Sequence, residues 1–485
     1  MGVIRPAALG YILGQFLLAL GATLLVPLAF SLWSHGGPAP LAYAAAITIG
    51  IGSALFFSLP RPSTDLNRRE GLLLVFSIWL AVSVFGALPF YFSPAYFSSF
   101  TDAFFEATSG FTASGATILS DIESLPRDLQ FWRCFSHWLG GMGIVLLGIA
   151  ILPLLGMGGM ALYRAEFSGA RSEKLKPRIA HTAQALWKIY VFLTLAEYVA
   201  LRWAGMGSFD ALCHSFSTVA TGGFSTRTAS VGAFDSPLIE CIIVVFMLLG
   251  SINFTLHYRL WVEHRPKRFI SDFELRTLLF IVIASSLVIA AILALKSGYA
   301  PAMALRRALF QVTAITTTTG FTTDDFAQWL PLPQLILLAL MFMGGCTGST
   351  SGGLKTSRMV LLYKVVVREF ERMVERRGVF AVRVGKGVIP ESAVRSLLNL
   401  VYLSFLVNFL GCILLAASGV DVFTSIAAVA AAMFNIGPGL GNVGPVEGYG
   451  GLPAFAKWVL SFCMLAGRLE FYTVLVIFTP AFWQK

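Results

Sequence analysis

Apolar runs of about 20 residues, the length a helix needs to cross a ~30 Å hydrocarbon layer, recur along the whole chain. Between them lie shorter stretches where phenylalanine mixes with threonine, serine and glycine. Residues 71–160 show the motif once: an apolar run over about 71–92, a polar–aromatic stretch over about 98–125, a second run over about 131–156, then a basic loop. The order of run, short amphipathic helix, Thr/Gly segment and run returns three more times. The pattern predicts an all-α polytopic membrane protein. It divides the chain into an N-terminal helix pair (1–66) and four repeats, at 67–178, 179–270, 271–388 and 389–485.

Composition agrees. Of 485 residues, 56% are hydrophobic and only 12% charged, and the mean hydropathy is +0.77. A soluble chain of this size could not hide that much apolar surface. The stretch after Arg5 lacks a small-residue cleavage site and is expected to remain as the first helix. The six cysteines are scattered without CxxC spacing and are expected to be small core residues. The net charge of +10 would suggest a nucleic-acid partner in a soluble protein. Here it gathers in four loops, at 61–70, 163–178, 257–269 and 363–387, so no nucleic acid is expected. By the positive-inside rule these loops and both termini face the cytoplasm, with membrane lipid as the surrounding partner.

The polar stretches align on a glycine. They read "DAFFEATSGFTASGAT" (102–117), "CHSFSTVATGGFST" (213–226), "ALFQVTAITTTTGFTT" (308–323) and "IAAVAAAMFNIGPGLG" (426–441). In the second, Gly222 or Gly223 could be the equivalent; matching "TGGFST" to "TTGFTT" selects Gly223. The set is then Gly115, Gly223, Gly320 and Gly437. Each follows roughly ten residues able to form a helix about 15 Å long, half a membrane. This is the layout of a re-entrant pore helix followed by an extended filter. A dehydrated monovalent cation needs a ring of oxygens, and backbone carbonyls supply them without fixed charge. Turning successive carbonyls inward needs angles that glycine reaches cheaply, and helix ends aimed at the centre add partial negative charge.

With "TDAFFE", "HWLGGMGI", "HSFSTVATGGFST", "TTTTGFTT", "MGGCTGSTSGGLK", "NIGPGLG" and "GRLEFYTVL" in place, the chain resembles the TrkH-type potassium-transport subunits of the Trk/Ktr/HKT superfamily over nearly its whole length. The resemblance implies four pseudo-fourfold membrane–pore–membrane units around one central pore. It implies ion-coordinating carbonyls from the two residues before each filter glycine: Ala113 and Ser114, Thr221 and Gly222, Thr318 and Thr319, Asn435 and Ile436. Relatives with serine at the first glycine position favour sodium, so Gly115 implies potassium as the transported ion, with no organic cofactor. Ala113 stands where relatives often carry threonine; carbonyl ligation does not depend on that side chain. The family further implies a homodimer with one pore per subunit, a cytoplasmic nucleotide-binding ring resembling TrkA, and residence in the cell inner membrane. The segments 163–178 and 363–387 are candidate docking surfaces for that ring.

Beneath the filter, "GGCTGSTSGGLKTSR" (344–358) interrupts the second span of the third repeat. It falls short of a phosphate-binding loop because leucine stands at 354, where GxxxxGK needs lysine. The resemblance implies an intramembrane gating loop, with Gly344, Gly345, Gly348, Gly352 and Gly353 supplying flexibility. Arg468, in the last span, is expected to face protein or a water-filled path, since an intramembrane charge costs about 2.5–3.5 kcal/mol. Its expected partners are carbonyls of the 344–353 loop rather than Glu470, which lies on another helix face.

Glu106 and Gln311 occupy matching places and are expected to brace the filter. His137 and His214 are expected to join helices, Arg306 and Arg307 to be solvated, and Asp102, Asp210 and Asp421 to cap pore helices. The function read from the sequence is a potassium-selective channel or transporter mediating K+ uptake, not an enzyme. A Na+- or H+-coupled transporter is the alternative, although the spans offer mainly Glu197 and Glu470 as mid-membrane acids. A membrane-embedded enzyme or translocase subunit is disfavoured because no catalytic cluster is present.

Overall fold

The computed structural model describes residues 4–64, 66–150, 175–264, 266–375, 378, 380–384 and 387–484. The basic loop at 163–178 therefore lies, except for its last four residues, outside the described residues.

Two long helices, α1 (Pro6–Trp33) and α2 (Ala39–Ser58), form an antiparallel pair. Glycines make their close approach possible: a Cβ on Gly14 would stand 2.8 Å from the Phe56 backbone nitrogen. Arg5 ties the pair to the first repeat, its Nη2 lying 2.7 Å from the buried Glu70 carboxylate.

Four sets of long, short and long helices come next. The first is α3 (Arg68–Gly86), α4 (Phe100–Phe111) and α5 (Arg127–Ala150). The second is α6 (Leu175–Trp203), α7 (Ser208–Val219), α8 (Pro237–Ser251) and α9 (Phe254–Trp261). The third is α10 (Phe273–Lys296), α11 (Pro301–Thr316), α12 (Pro331–Met341) and α13 (Thr356–Val374). The last is α14 (Glu391–Ala417), α15 (Val422–Met433), α16 (Ala454–Arg468) and α17 (Tyr472–Leu475).

Four of the long helices, α1, α2, α10 and α14, are apolar all round. In α1, α2, α10 and α14 only about a third or less of the best spanning window is buried, so most of their surface is left for lipid. Five described helices are long and apolar enough to cross a membrane, or seven if two bent pairs each count as one span. The short helices are instead enclosed by protein: Asp102 to Phe111 of α4, Phe310 to Thr316 of α11 and Ala427 to Met433 of α15 are all buried. Polar residues at membrane depth are tolerated where protein surrounds them.

The helix starts follow local chemistry. Asn67 and Glu70 form a reciprocal capping box on α3, and Asp272 and Asp421 accept from the third residue of α10 and α15. Asp102 and Asp210 do not cap in this way. Ser99 caps α4, while Asp102 accepts from Ser98, Ser99 and Lys457; Asp210 holds Thr226 and Arg227. Each sits one turn in and still favours the positive end of its helix.

Three second spans are broken, where the sequence suggested one. The α8–α9 pair bends by 100° and the α16–α17 segment by 111°; in the third repeat an extended loop separates α12 from α13. All the cysteines are free; Cys241 faces outward rather than lying in the core, whereas Cys134, Cys213, Cys346 and Cys463 are buried.

Candidate functional site: four helix ends and a loop beneath them

Each short helix ends in the same way. After the cap residue comes one in the left-handed region: Ala113 (φ 51°), Thr221 (53°), Thr318 (58°) and Asn435 (55°). Its N–H donates three residues back, and the next N–H donates five back: Ser114 to Ser109, Gly222 to Ser217, Thr319 to Ala314 and Ile436 to Ala431, at 2.8–2.9 Å. This is a Schellman closure repeated four times. Glycine normally fills its left-handed position. Here alanine, two threonines and asparagine do so, at about 1 kcal/mol or more of backbone strain each. The glycine two residues on returns to positive φ: 81° at Gly115, 80° at Gly223, 78° at Gly320 and 105° at Gly437.

The four glycines meet in a ring. A Cβ on Gly115 would lie 2.2 Å from the Gly222 carbonyl oxygen, one on Gly223 2.0 Å from that of Thr319, one on Gly320 1.8 Å from that of Ile436, and one on Gly437 2.8 Å from that of Ser114. The contacts run from first repeat to second, third, fourth and back to the first. This geometry selects Gly223, not Gly222, as the ring member.

Among the described residues, no N–H or O–H donates to the carbonyls of Ala113, Ser114, Thr221, Gly222, Thr318, Thr319, Asn435 or Ile436, and all eight residues are buried. Buried carbonyls almost always have a partner. Four of these oxygens, those of Ser114, Gly222, Thr319 and Ile436, lie against the glycine ring.

Behind the ring, position −9 from each glycine carries Glu106, His214, Gln311 and Ala428. The first three hold the strand leaving the ring, as expected for Glu106 and Gln311: Glu106 accepts from Thr117 Oγ1 at 2.9 Å and Ile118 N at 3.0 Å, His214 Nε2 pairs with Ser225 Oγ at 3.0 Å, and Gln311 Nε2 reaches Thr323 Oγ1 at 3.4 Å. In the fourth, where Ala428 cannot bond, Tyr449 donates its hydroxyl to the Gly437 carbonyl at 2.7 Å. Tyr449 and the buried Arg133 are the residues that sequence reading missed. His137 stacks on Phe224 at 4.0 Å and accepts from its N–H. Arg306 is not solvated: it forms an ion pair with Glu240 at 2.7 Å, joining α11 to α8. Arg307 keeps a buried Nε.

Directly below, the 344–353 loop touches three repeats. Thr350 is its hub. Its hydroxyl lies 3.0 Å from the carbonyls of Val219 and Gly250 and 3.3 Å from Thr221 Oγ1, and its carbonyl accepts from Arg468 Nη1 at 2.9 Å. Gly352 N donates to Thr318 Oγ1 at 2.7 Å, so the loop bonds to a ring residue's side chain. A Cβ on Gly352 would stand 2.3 Å from the Phe434 carbonyl, so only glycine lets the loop come so close. Gly344 pairs in parallel with Lys355; Gly345 packs on Ser251; Gly348 and Gly353 take positive φ. Arg468 is 3% exposed, and among the described residues its Nε and Nη2 have no partner. Glu470 pairs instead with Arg358 at 2.8 Å.

Residues 41–485 match the family model described as TrkH, cation transport protein. The chain is 42% identical to the Trk system potassium uptake protein TrkH of Salmonella typhimurium, covering 99% of each chain. It is 35% identical to the Trk system potassium uptake protein TrkG of Escherichia coli, covering 90% of each. The crystal structure of the potassium transporter TrkH from Vibrio parahaemolyticus superposes with a TM-score of 0.92 at 39% identity, covering 99% of this chain and 100% of that one.

Proposed function

The chain belongs to the TrkH family of cation transport proteins, and from that premise we propose that it mediates K+ uptake across the cell inner membrane. The observation that carries this reading is the set of eight buried carbonyls without donors around the four-glycine ring. They replace the water a potassium ion loses on entry. The four short helices end at the ring, each adding about −0.5 of partial charge. No covalent step is required. The pore is a single conduit at the axis of four membrane–pore–membrane repeats.

The loop at 344–353 and Arg468 form the gate in this reading. The loop lies across the path just below the ring, and the Arg468 charge repels cations there. Opening withdraws Thr350 from Val219, Gly250 and Arg468, so its neutral hydroxyl contacts and the charge-assisted bond to its carbonyl must break. The controller is a separate cytoplasmic nucleotide-binding ring docking on the basic 363–387 segment, and the transporter works as a homodimer with both termini cytoplasmic.

Rubidium uptake into liposomes containing the purified chain tests the function. Uptake should follow a potassium gradient without a second ion and increase when the soluble ring is added. Dependence on a Na+ or H+ gradient would overturn the channel reading. Arg468→Ala should raise flux about tenfold in the absence of the ring; unchanged or lower flux at normal protein levels removes Arg468 from the gate.

A further inference from the structure

We propose that Arg133 and Glu106 are positioning residues that set ion selectivity by fixing the spacing of the first two filter strands. The inference rests on the reading of the ring as a potassium filter. Arg133 on α5 is 1% exposed and Glu106 on α4 is fully buried. Arg133 Nε donates to Glu106 Oε1 at 2.5 Å, and Arg133 Nη1 donates to the Ser225 carbonyl at 2.9 Å. Its guanidinium carbon lies 3.8 Å from the centre of the Phe224 ring, a cation–π contact strengthened by burial. Glu106 in turn holds Thr117 and Ile118. One continuous chain of charge-assisted bonds thus runs from the strand just past Gly115 to the strand just past Gly223.

Two features make this a clasp rather than ordinary core packing. First, the pair is asymmetric within a quasi-fourfold ring: Gln311 replaces Glu106 in the third repeat with a weaker contact, and Ala428 replaces it in the fourth. Each repeat has its own brace, but among the described residues only this one carries an ion pair that also bonds the strand of the next repeat. Second, the guanidinium is planar and forked, so it presents donors to both strands in fixed relative positions, which a lysine cannot do. Arg133 also borders the small cavity at the mouth of the ring, together with Gly115, Gly223 and Ser225. A binding constellation needs its atoms held within about 0.5 Å. Left-handed residues under strain at Ala113 and Thr221 would relax if the strands behind them were free to separate.

The test measures the K+/Na+ permeability ratio from reversal potentials in liposomes, with rubidium uptake as the check on conduction. Removing one partner would strand a buried charge, so E106Q/R133M is used to remove both at similar volume. The double variant should purify as a folded, monodisperse protein and still conduct rubidium, with its K+/Na+ ratio reduced about tenfold or more. R133K keeps the charge against Glu106 but not the reach to Ser225, and should give an intermediate ratio. A wild-type ratio in the double variant overturns the proposal, and if that variant does not fold, a wild-type ratio in R133K does so. If the wild-type protein itself does not discriminate K+ from Na+, the filter reading fails and this proposal falls with it.

Discussion

The two faces of the four-glycine ring are held in opposite ways. Above it, strands are fixed by a buried ion pair, by His214 and by the Tyr449 hydroxyl. Below it, the loop is held by hydroxyl–carbonyl contacts centred on Thr350, by backbone bonds to Ser251 and Phe254, by the Glu274 carboxylate on the Thr347 N–H, and by one bond from Arg468, two of whose nitrogens have no described partner. The upper face combines strained backbone with strong bracing. The lower face has the looser, glycine-rich backbone, and most of its contacts run through main-chain groups. In the proposed function, rigidity falls where oxygen positions must be held and looseness where a segment must move.

Gly115→Ser strikes the rigid face hardest. A side chain there would stand 2.2 Å from the Gly222 carbonyl in a backbone region that disfavours it, so the two strands must move apart by about 1 Å. Potassium preference should fall by on the order of a hundredfold, read as competition of Na+ with rubidium uptake; an unchanged preference would show that the first repeat is aligned wrongly. Thr350→Val tests the loose face. It keeps the shape but removes the hydroxyl shared between Val219 and Gly250, a loss of about 1–2 kcal/mol, so leak through the unpartnered chain should rise about 5–30-fold. A leak equal to wild type would mean that the loop is held elsewhere. Tyr449→Phe is the mildest change. Losing its bond to Gly437 should lower stability by about 1 kcal/mol in thermal melts of the purified protein, with conduction largely kept.

How legible each region was depends on how it is built. The ring could be read because its glycines recur at one place in four repeats, and the third-repeat break because a stretch of fifteen residues, eleven of them Gly, Ser or Thr, cannot continue a span. The other two breaks were hidden in apolar runs. Ile252–Asn253 and Leu469–Phe471 are too short to change the local hydropathy, and the positive φ of Glu470 and Phe471 carries no compositional mark. A signal was nevertheless present: "LLGS" at 248–251 and "LAGR" at 465–468 resemble "FMGG" at 342–345. Arg133 was missed because a lone arginine beside a polar stretch reads as interfacial, and only folding brings Glu106 to it. Arg306 was misjudged for the same reason, since Glu240 lies far away in sequence.

The ring has its seam between Gly437 and Ser114, residues contributed by opposite ends of the polypeptide. A ribosome delivers the fourth glycine only after the other three. Until then the circle lacks one member and Arg468 has not yet been made, so the glycine that closes the ring and the arginine that bonds Thr350 arrive in the same final stretch of synthesis.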